Sequence, residues 1–293
     1  MPSISPTLSR ASSARAWQLS PWTLLALRRP GLLLAGLFVL FLLIASIVPS
    51  WLVHTDPFAV SARDAFRGPS AAHWLGTDEN GRDVLARLIY GVRNSLLLGI
   101  SASLIALLGG SFLGLLAGLG KRWLDTLLMR LIDVLSAFPD LLLVLLIITF
   151  WGGGLVNTVL ALGVAGIPRF ARIVRAQTQL VRRAPYVEAA LTLGLPRFTV
   201  VVRHVLPNAI RPVLILATIS VGGNIVIGSL LSFLGFGAPP PTPEWGAMLA
   251  VGYGYMANAW WLVVAPSVLV MLTVLAITAL GRTLLRYSEG KGL

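Results

Sequence analysis

The sequence predicts an all-α integral membrane protein with six transmembrane helices and both termini cytoplasmic. Three observations carry that expectation. Apolar residues make up 56% of the 293 and charged residues only 12%, against roughly half and a quarter in soluble domains. Uncharged runs recur that are long enough to cross a hydrocarbon layer about 30 Å thick, which takes about 20 helical residues. The basic residues are unevenly divided between the connections. The same figures exclude other classes. The chain is too apolar to be disordered, and with no cysteine it is neither a disulfide scaffold nor a thiolate metal protein. A soluble enzyme of this size needs more charge to cover its surface.

The first span is Gly31 to Val53, which carries no charge. Arg28 and Arg29 precede it and Trp51 lies near its far end, the places of a basic anchor and an interfacial aromatic. A signal peptide has an apolar region of about 7–15 residues followed by a small-residue cleavage site. This run is longer and no such site follows. The second span is Asn94 to Gly120. Its Gly110, Gly114 and Gly118 lie four apart on one helical face, a spacing that lets helices approach closely in lipid. Trp123 to Ala137 reads as a helix partly outside the hydrocarbon, with Arg130 and Asp133 placed to pair. A break at Pro139 follows, and a third span ends near Trp151. The fourth is short, Gly153 to Ile167, and meets Pro168-Arg169. The fifth runs from Pro212 to Phe236 and the sixth from Ala259 to Gly281.

Side follows from the arginines and lysines. Eighteen fall on one side: in the amino tail, after span two, between spans four and five, and in the carboxyl tail. Five, Arg63, Arg67, Arg82, Arg87 and Arg93, fall on the other. The richer side is expected to be cytoplasmic. The chain then divides into a cytoplasmic tail 1–30, a first span 31–53, an extracytoplasmic segment 54–93, a core 94–281 and a cytoplasmic tail 282–293. The net charge of +12 thus records orientation rather than a nucleic-acid partner.

Within the core the connection from Arg169 to Arg211 is the longest cytoplasmic one. Pro185 opens a helix at a position where proline is tolerated. The run Tyr186 to Leu193 makes about two turns, and Gly194 ends it as a left-handed cap. Pro196 starts a second helix, with Phe198, Val201, Val202 and Val205 on one apolar face. A rigid helix–turn–helix with small residues at its tip suits docking into a partner's groove. A connector with a solvated basic face has the same spacing.

Here the chain resembles a family. Glu188-Ala189-Ala190, Gly194 and Leu206-Pro207 resemble the EAA loop of permease subunits of prokaryotic ABC importers. Three stretches narrow the resemblance: Leu75-Gly76-Thr77-Asp78-Glu79-Asn80-Gly81-Arg82-Asp83-Val84-Leu85 before span two, Tyr186-Val187-Glu188-Ala189-Ala190 opening the loop, and after span five Leu231-Ser232-Phe233-Leu234-Gly235-Phe236-Gly237 followed by Pro241-Thr242-Pro243-Glu244-Trp245-Gly246-Ala247-Met248-Leu249. Together they are similar to the second, C-type permease of dipeptide, oligopeptide and nickel importers, over about Leu24 to Leu285. His204 stands where the broader importer pattern has isoleucine, which favours the peptide-type branch.

The resemblance implies the type I ABC importer permease fold in a bacterial plasma (inner) membrane. It implies a second permease subunit as partner, two cytoplasmic ATPase subunits, an extracytoplasmic solute-binding protein, and no cofactor. It also implies that Glu188, Ala189, Ala190, Gly194, Leu206 and Pro207 couple the permease to an ATPase while it carries di- or oligopeptides, nickel chelates or glutathione. The chain has no Walker A site. At Gly120-Lys121, the nearest candidate, Leu115 and Arg122 stand where Gly and Ser or Thr belong.

The remaining chemistry is sparse. His54, His73 and His204 are far apart and fall on opposite sides of the membrane, so no metal site is expected. Asp140 is an ionisable group beside a span, and so a candidate for facing a solute pathway. It also follows Pro139, where an acid suits the first turn of a restarted helix. An intramembrane hydrolase needs converging titratable groups, and the spans lack them. An ion-coupled secondary transporter has Asp140 alone as a coupling carboxylate and no clear inverted repeat. Gly81 to Tyr90 reads as an amphipathic segment, either interfacial or a cap on the bundle. The proline-rich stretch Ala238 to Pro243 reads as a stiff external turn.

Overall fold

A computed structural model of the chain describes residues 30–288, the Ser288 side chain excepted. Arg10, Arg15, Arg28 and Arg29 in the amino tail, and Glu289 and Lys291 in the carboxyl tail, lie outside the described residues. Ten helices order the rest: α1 (Pro30–Ile47), α2 (Val84–Leu119), α3 (Arg122–Ser136), α4 (Asp140–Trp151), α5 (Leu155–Arg182), α6 (Pro185–Thr192), α7 (Arg197–Val200), α8 (Leu206–Phe233), α9 (Trp245–Tyr253) and α10 (Trp261–Ser288). A π-helical turn, Val201–Val205, joins α7 to α8.

Four of these stretches are long and apolar enough to cross a membrane: Pro30–Ile47, Val84–Leu119, Arg197–Phe233 and Trp261–Tyr287. The pair α3 and α4 makes a fifth candidate if taken as one span broken by 87°. The break falls where the sequence places it. Pro139 caps α4 at φ −56° and ψ 137°, the extended geometry that ends one helix and starts another. The expected fourth span behaves differently. Its uncharged part is short, and α5 does not stop at Pro168 but runs on through Arg169, Arg172 and Arg175 to Arg182. The expected cytoplasmic connection therefore shrinks, and many of its arginines sit on a helix.

Packing explains why α5 survives an internal proline. Pro168 is buried, and the helix lies along the glycine stripe of α2. A Cβ at Gly114 would sit 2.6 Å from the Ala171 carbonyl oxygen, and one at Gly118 would sit 2.7 Å from Thr178 Cβ. The two backbones meet where the glycines leave room. Helix α8 packs on the same α2, and α10 packs on α8, α9 and α1. Helix α1 is apolar and only lightly packed, with Ala35, Leu42 and Ala45 alone buried and half of its residues exposed.

The segment before α2 is a polar cap folded onto the bundle. Helix α2 starts at Val84 rather than at Asn94, because the Asp83 side chain accepts the Ala86 N–H at 2.8 Å. Val84, Leu88 and Ile89 are buried with Trp245 and Trp261, so this stretch is not an interfacial helix. Asp78 and Arg82 pair at 2.7 Å, Arg82 reaches Glu79 at 2.7 Å, and Arg87 lies 3.5 Å from Asp78. Arg87 also donates to the carbonyls of Pro57 and Pro241, at 3.2 and 3.3 Å. Trp261 Nε1 donates to the Thr77 carbonyl and Trp245 Nε1 to the Leu88 carbonyl, both at 3.1 Å. Glu244 is 0% exposed. It accepts the N–H groups of Gly246 and Ala247 at 2.9 Å and the Ser95 hydroxyl at 3.2 Å. At the outer edge the Ser61 hydroxyl donates to Asp64 at 2.6 Å, and this bond holds the Asp64 carboxyl below its ordinary pKa.

Candidate functional site: the projecting loop and a polar cleft

The loop between α5 and α8 is built as its prolines and glycine dictate. Pro185 occupies the first turn of α6, where its missing N–H costs nothing. Gly194 has φ +82°. The Leu195 N–H reaches the Ala190 carbonyl at 3.2 Å and the Gly194 N–H reaches the Leu191 carbonyl at 3.0 Å. This bond pair is the Schellman termination, which needs the left-handed residue. A Cβ at Gly194 would meet nothing within 4 Å. The requirement there is conformational rather than steric.

The inner side of the loop has a small core of its own. Val187, Ala190, Val200 and Val205 are buried together, with Leu119 of α2 and Val181 of α5 against them. The apolar face expected from Phe198, Val201, Val202 and Val205 is thereby corrected. Of these only Val205 is buried, and Val200 joins it, while Phe198 is 79% exposed. The π turn shifts the register. Pro207 has no N–H to give the preceding turn, and the Leu206 N–H reaches back to the Val201 carbonyl, five residues away. Leu206 and Pro207 therefore open α8 as part of one continuous element with α7.

Of the residues singled out in the sequence, Glu188 and Ala189 are exposed and Ala190 is buried. Among the described residues the Glu188 carboxylate forms no ion pair; its position in the first turn suits the helix dipole. Beside these small residues project large ones: Leu193 at 83% exposure, Phe198, which the sequence placed on a packed apolar face, and Tyr186 and Leu191 to a lesser degree. The loop is braced at its root. Asp125 of α3 forms a bidentate pair with Arg175 of α5, one arm 2.6 Å long, and Arg182 donates to the Gly118 carbonyl at 3.4 Å. Asp133 pairs with Arg172 at 3.0 Å, rather than with the expected Arg130.

Asp140 lies apart from this loop. It is in the first turn of α4 and exposed, and it lines a cleft of about 340 Å³ among α4, α5, α8 and α10. Arg169, Ser220, Asn224 and Thr278 line the same cleft, with Val144, Leu162 and Phe170 among its apolar walls. In the sequence Arg169 reads only as a topology charge; its place in the cleft depends on α5 passing through Pro168. Among the described residues no group of three His, Asp or Glu is placed to hold a metal ion.

The family model for the binding-protein-dependent transport system inner membrane component matches residues 110–290. The chain belongs to this family: it is a multi-pass inner-membrane permease subunit of an ABC importer, and not itself an enzyme. Among curated relatives it is 40% identical to the glutathione transport system permease protein GsiD of Pectobacterium atrosepticum, over 84% of this chain and 82% of that one. It is 39% identical to the same-named protein of Shigella flexneri serotype 5b, with the same coverage. These relatives place it near the C-type permeases of the peptide, nickel and glutathione branch.

Among solved structures the chain is similar to the methionine transporter MetNI in inward-facing form. The TM-score is 0.57 at 21% identity, over 69% of this chain and 95% of that one. An amino acid ABC transporter crystallised with histidines gives a TM-score of 0.56 at 20% identity, over 69% and 94%. At these identities the likeness is one of fold.

Proposed function

We propose that the chain forms one half of the translocation pathway of an importer for small peptides, glutathione among them. A second, different permease subunit supplies the other half. Two cytoplasmic ATPases drive the pair through the EAA loop, and an extracytoplasmic binding protein delivers the solute. The spans number six, with α5 as the fourth and both termini inside. The 28 residues of α5 reach about 42 Å at 1.5 Å each. Its charged half lies toward the loop, and the division of basic residues makes that side cytoplasmic. The same machinery carrying nickel chelates is the second reading, favoured by the breadth of the family branch rather than by any ligating residue in this chain.

One observation carries the coupling assignment: a rigid, Schellman-capped projection exposes Leu193 and Phe198 to solvent. Glu188, Ala189 and Gly194 lie on its exposed surface, Ala190 packs beneath them, and Leu206 and Pro207 join it to α8. ATP-driven closure of the ATPase pair would move such a lever as one piece. The test is Gly194→Asp in the reconstituted complex. Asp, like Asn, tolerates positive φ, and a Cβ there meets nothing within 4 Å, so what the Asp variant adds is a negative charge on the docking face. Transport is expected to be abolished while the subunit still inserts. Gly194→Asn, neutral and tolerant of positive φ, is expected to retain most of it. Normal uptake by the Asp variant would sink the coupling assignment. Ion-driven uptake by the chain alone would point to a secondary transporter.

A further inference from the structure

We infer that the cleft among α4, α5, α8 and α10 is a solute-contacting station that reads the two charged ends of a zwitterionic peptide. In it Asp140 takes the free amine and Arg169 the free carboxylate. The inference rests on the peptide reading above.

The charges on the neighbouring helix faces set these two residues apart. Both acids of α3 are neutralised within the chain, Asp125 by Arg175 and Asp133 by Arg172. Asp140 and Arg169 line one cleft and carry opposite charge, yet neither has an ion-pair partner among the described residues. Arg169 lies three residues before Arg172 on the same helix. Both residues are exposed, each at the charged end of an otherwise apolar helical stretch, where an ionisable group without an internal partner is a candidate for meeting a solute.

The rest of the lining fits a peptide. The Asn224 amide donates to the Ser103 hydroxyl at 2.8 Å, which fixes the side chain and leaves its carbonyl oxygen as an acceptor. The Thr278 hydroxyl, half-buried, has no hydrogen-bond partner among the described residues. These two groups suit a backbone amide between the charged ends. Val144, Leu162 and Phe170 supply apolar walls for side chains of varied shape. The volume, about 340 Å³, sits at the small end of the range of about 300–1,000 Å³ usual for ligand sites. Charge-assisted contacts at two ends with loose walls between them recognise what all peptides share.

The chain contains no cysteine, so a single introduced thiol reports on the cleft. Ser220→Cys is nearly isosteric, and Ser220 bonds only within its own helix. In the assembled complex, thiol labelling at this position is measured with and without millimolar dialanine, N-acetyl-dialanine and dialanine amide. Dialanine is expected to slow labelling strongly, and each blocked peptide to protect about tenfold less well, the effect of one charge-assisted hydrogen bond. Asp140→Asn is expected to erase the preference for the free amine, and Arg169→Gln the preference for the free carboxylate. Arg169→Lys is expected to restore the latter in part.

Equal protection by all three peptides, or none by any, overturns the inference. So does loss of the partner permease on purification of either variant, because the charges would then belong to the subunit interface. Uptake of radiolabelled dialanine by the unmodified complex is read separately. Its absence sinks the peptide reading itself, whereas uptake without protection sinks only the cleft assignment.

Discussion

The two most recognisable stretches of this chain are built on opposite plans. The cap motif from Leu75 to Leu85 turns its charges inward. Asp78, Arg82 and Asp83 are buried and bonded to other side chains, Glu79 is half-buried against Arg82, and Arg87, just beyond the motif, is buried against Asp78 and the Pro57 carbonyl. The EAA loop turns outward, with Glu188 and Ala189 exposed and Leu193 and Phe198 standing in solvent. A family signature alone does not say whether its residues hold the fold or meet a partner. Whether their bonding capacity is already used does. The cap uses nearly all of its capacity within the chain, Glu79 Oε2 alone among its carboxylate oxygens being buried without a partner among the described residues, whereas the loop leaves its large apolar side chains uncovered.

That contrast predicts different failures. The largest effect belongs to Asp78→Asn, which leaves Arg82 and Arg87 buried with less compensation. Removing one member of a buried pair costs about 3–5 kcal/mol, so the purified subunit should lose much of its thermal stability in detergent. The transport defect should then follow the amount of folded protein. Next come Leu193→Ser and Phe198→Ser. Neither residue is buried, so stability should move by less than about 0.5 kcal/mol. Each should weaken ATPase binding by about 2 kcal/mol if it is an anchor, or about thirtyfold in affinity, measured as ATPase retained on the purified permease pair. A stability loss in these variants, with the ATPase retained, would erase the distinction between the two regions. The smallest effect is expected from Glu188→Gln. An exposed ion pair contributes about 0–1 kcal/mol, so binding should barely change, and ATP turnover per solute moved is the more sensitive readout.

Much of the loop was legible because its punctuation is local. Pro185, Gly194 and Pro196 act through their own φ values and missing N–H groups, and the structure places helix start, cap and restart where they indicate. The break at Pro139 and the close approach at Gly114 and Gly118 were legible for the same reason. What escaped was decided by distant neighbours. Pro168 does not stop α5, because the helix is held along α2 on both sides of it. Asp133 finds Arg172 across space, not Arg130 on its own helix. Val84 to Ile89 alternates like a surface helix, yet Trp245 and Trp261, far along the chain, cover it. The π turn at Val201–Val205 moved the buried face by a residue, a shift that helical periodicity cannot register. That Asp140 and Arg169 line one cleft required all of α5 to be in place.

The central claim is that the projecting loop is the seat of the ATPase. The most direct measurement is crosslinking from a single cysteine at Leu193 in this cysteine-free chain, with a second single cysteine at the exposed cap residue Asn80 as control. In the assembled complex, a short thiol-to-amine crosslinker at position 193 is expected to capture an ATPase subunit, and the same reagent at position 80 to capture none. Free reactivity at position 193 without an ATPase adduct, or equal ATPase capture from position 80, would contradict the account.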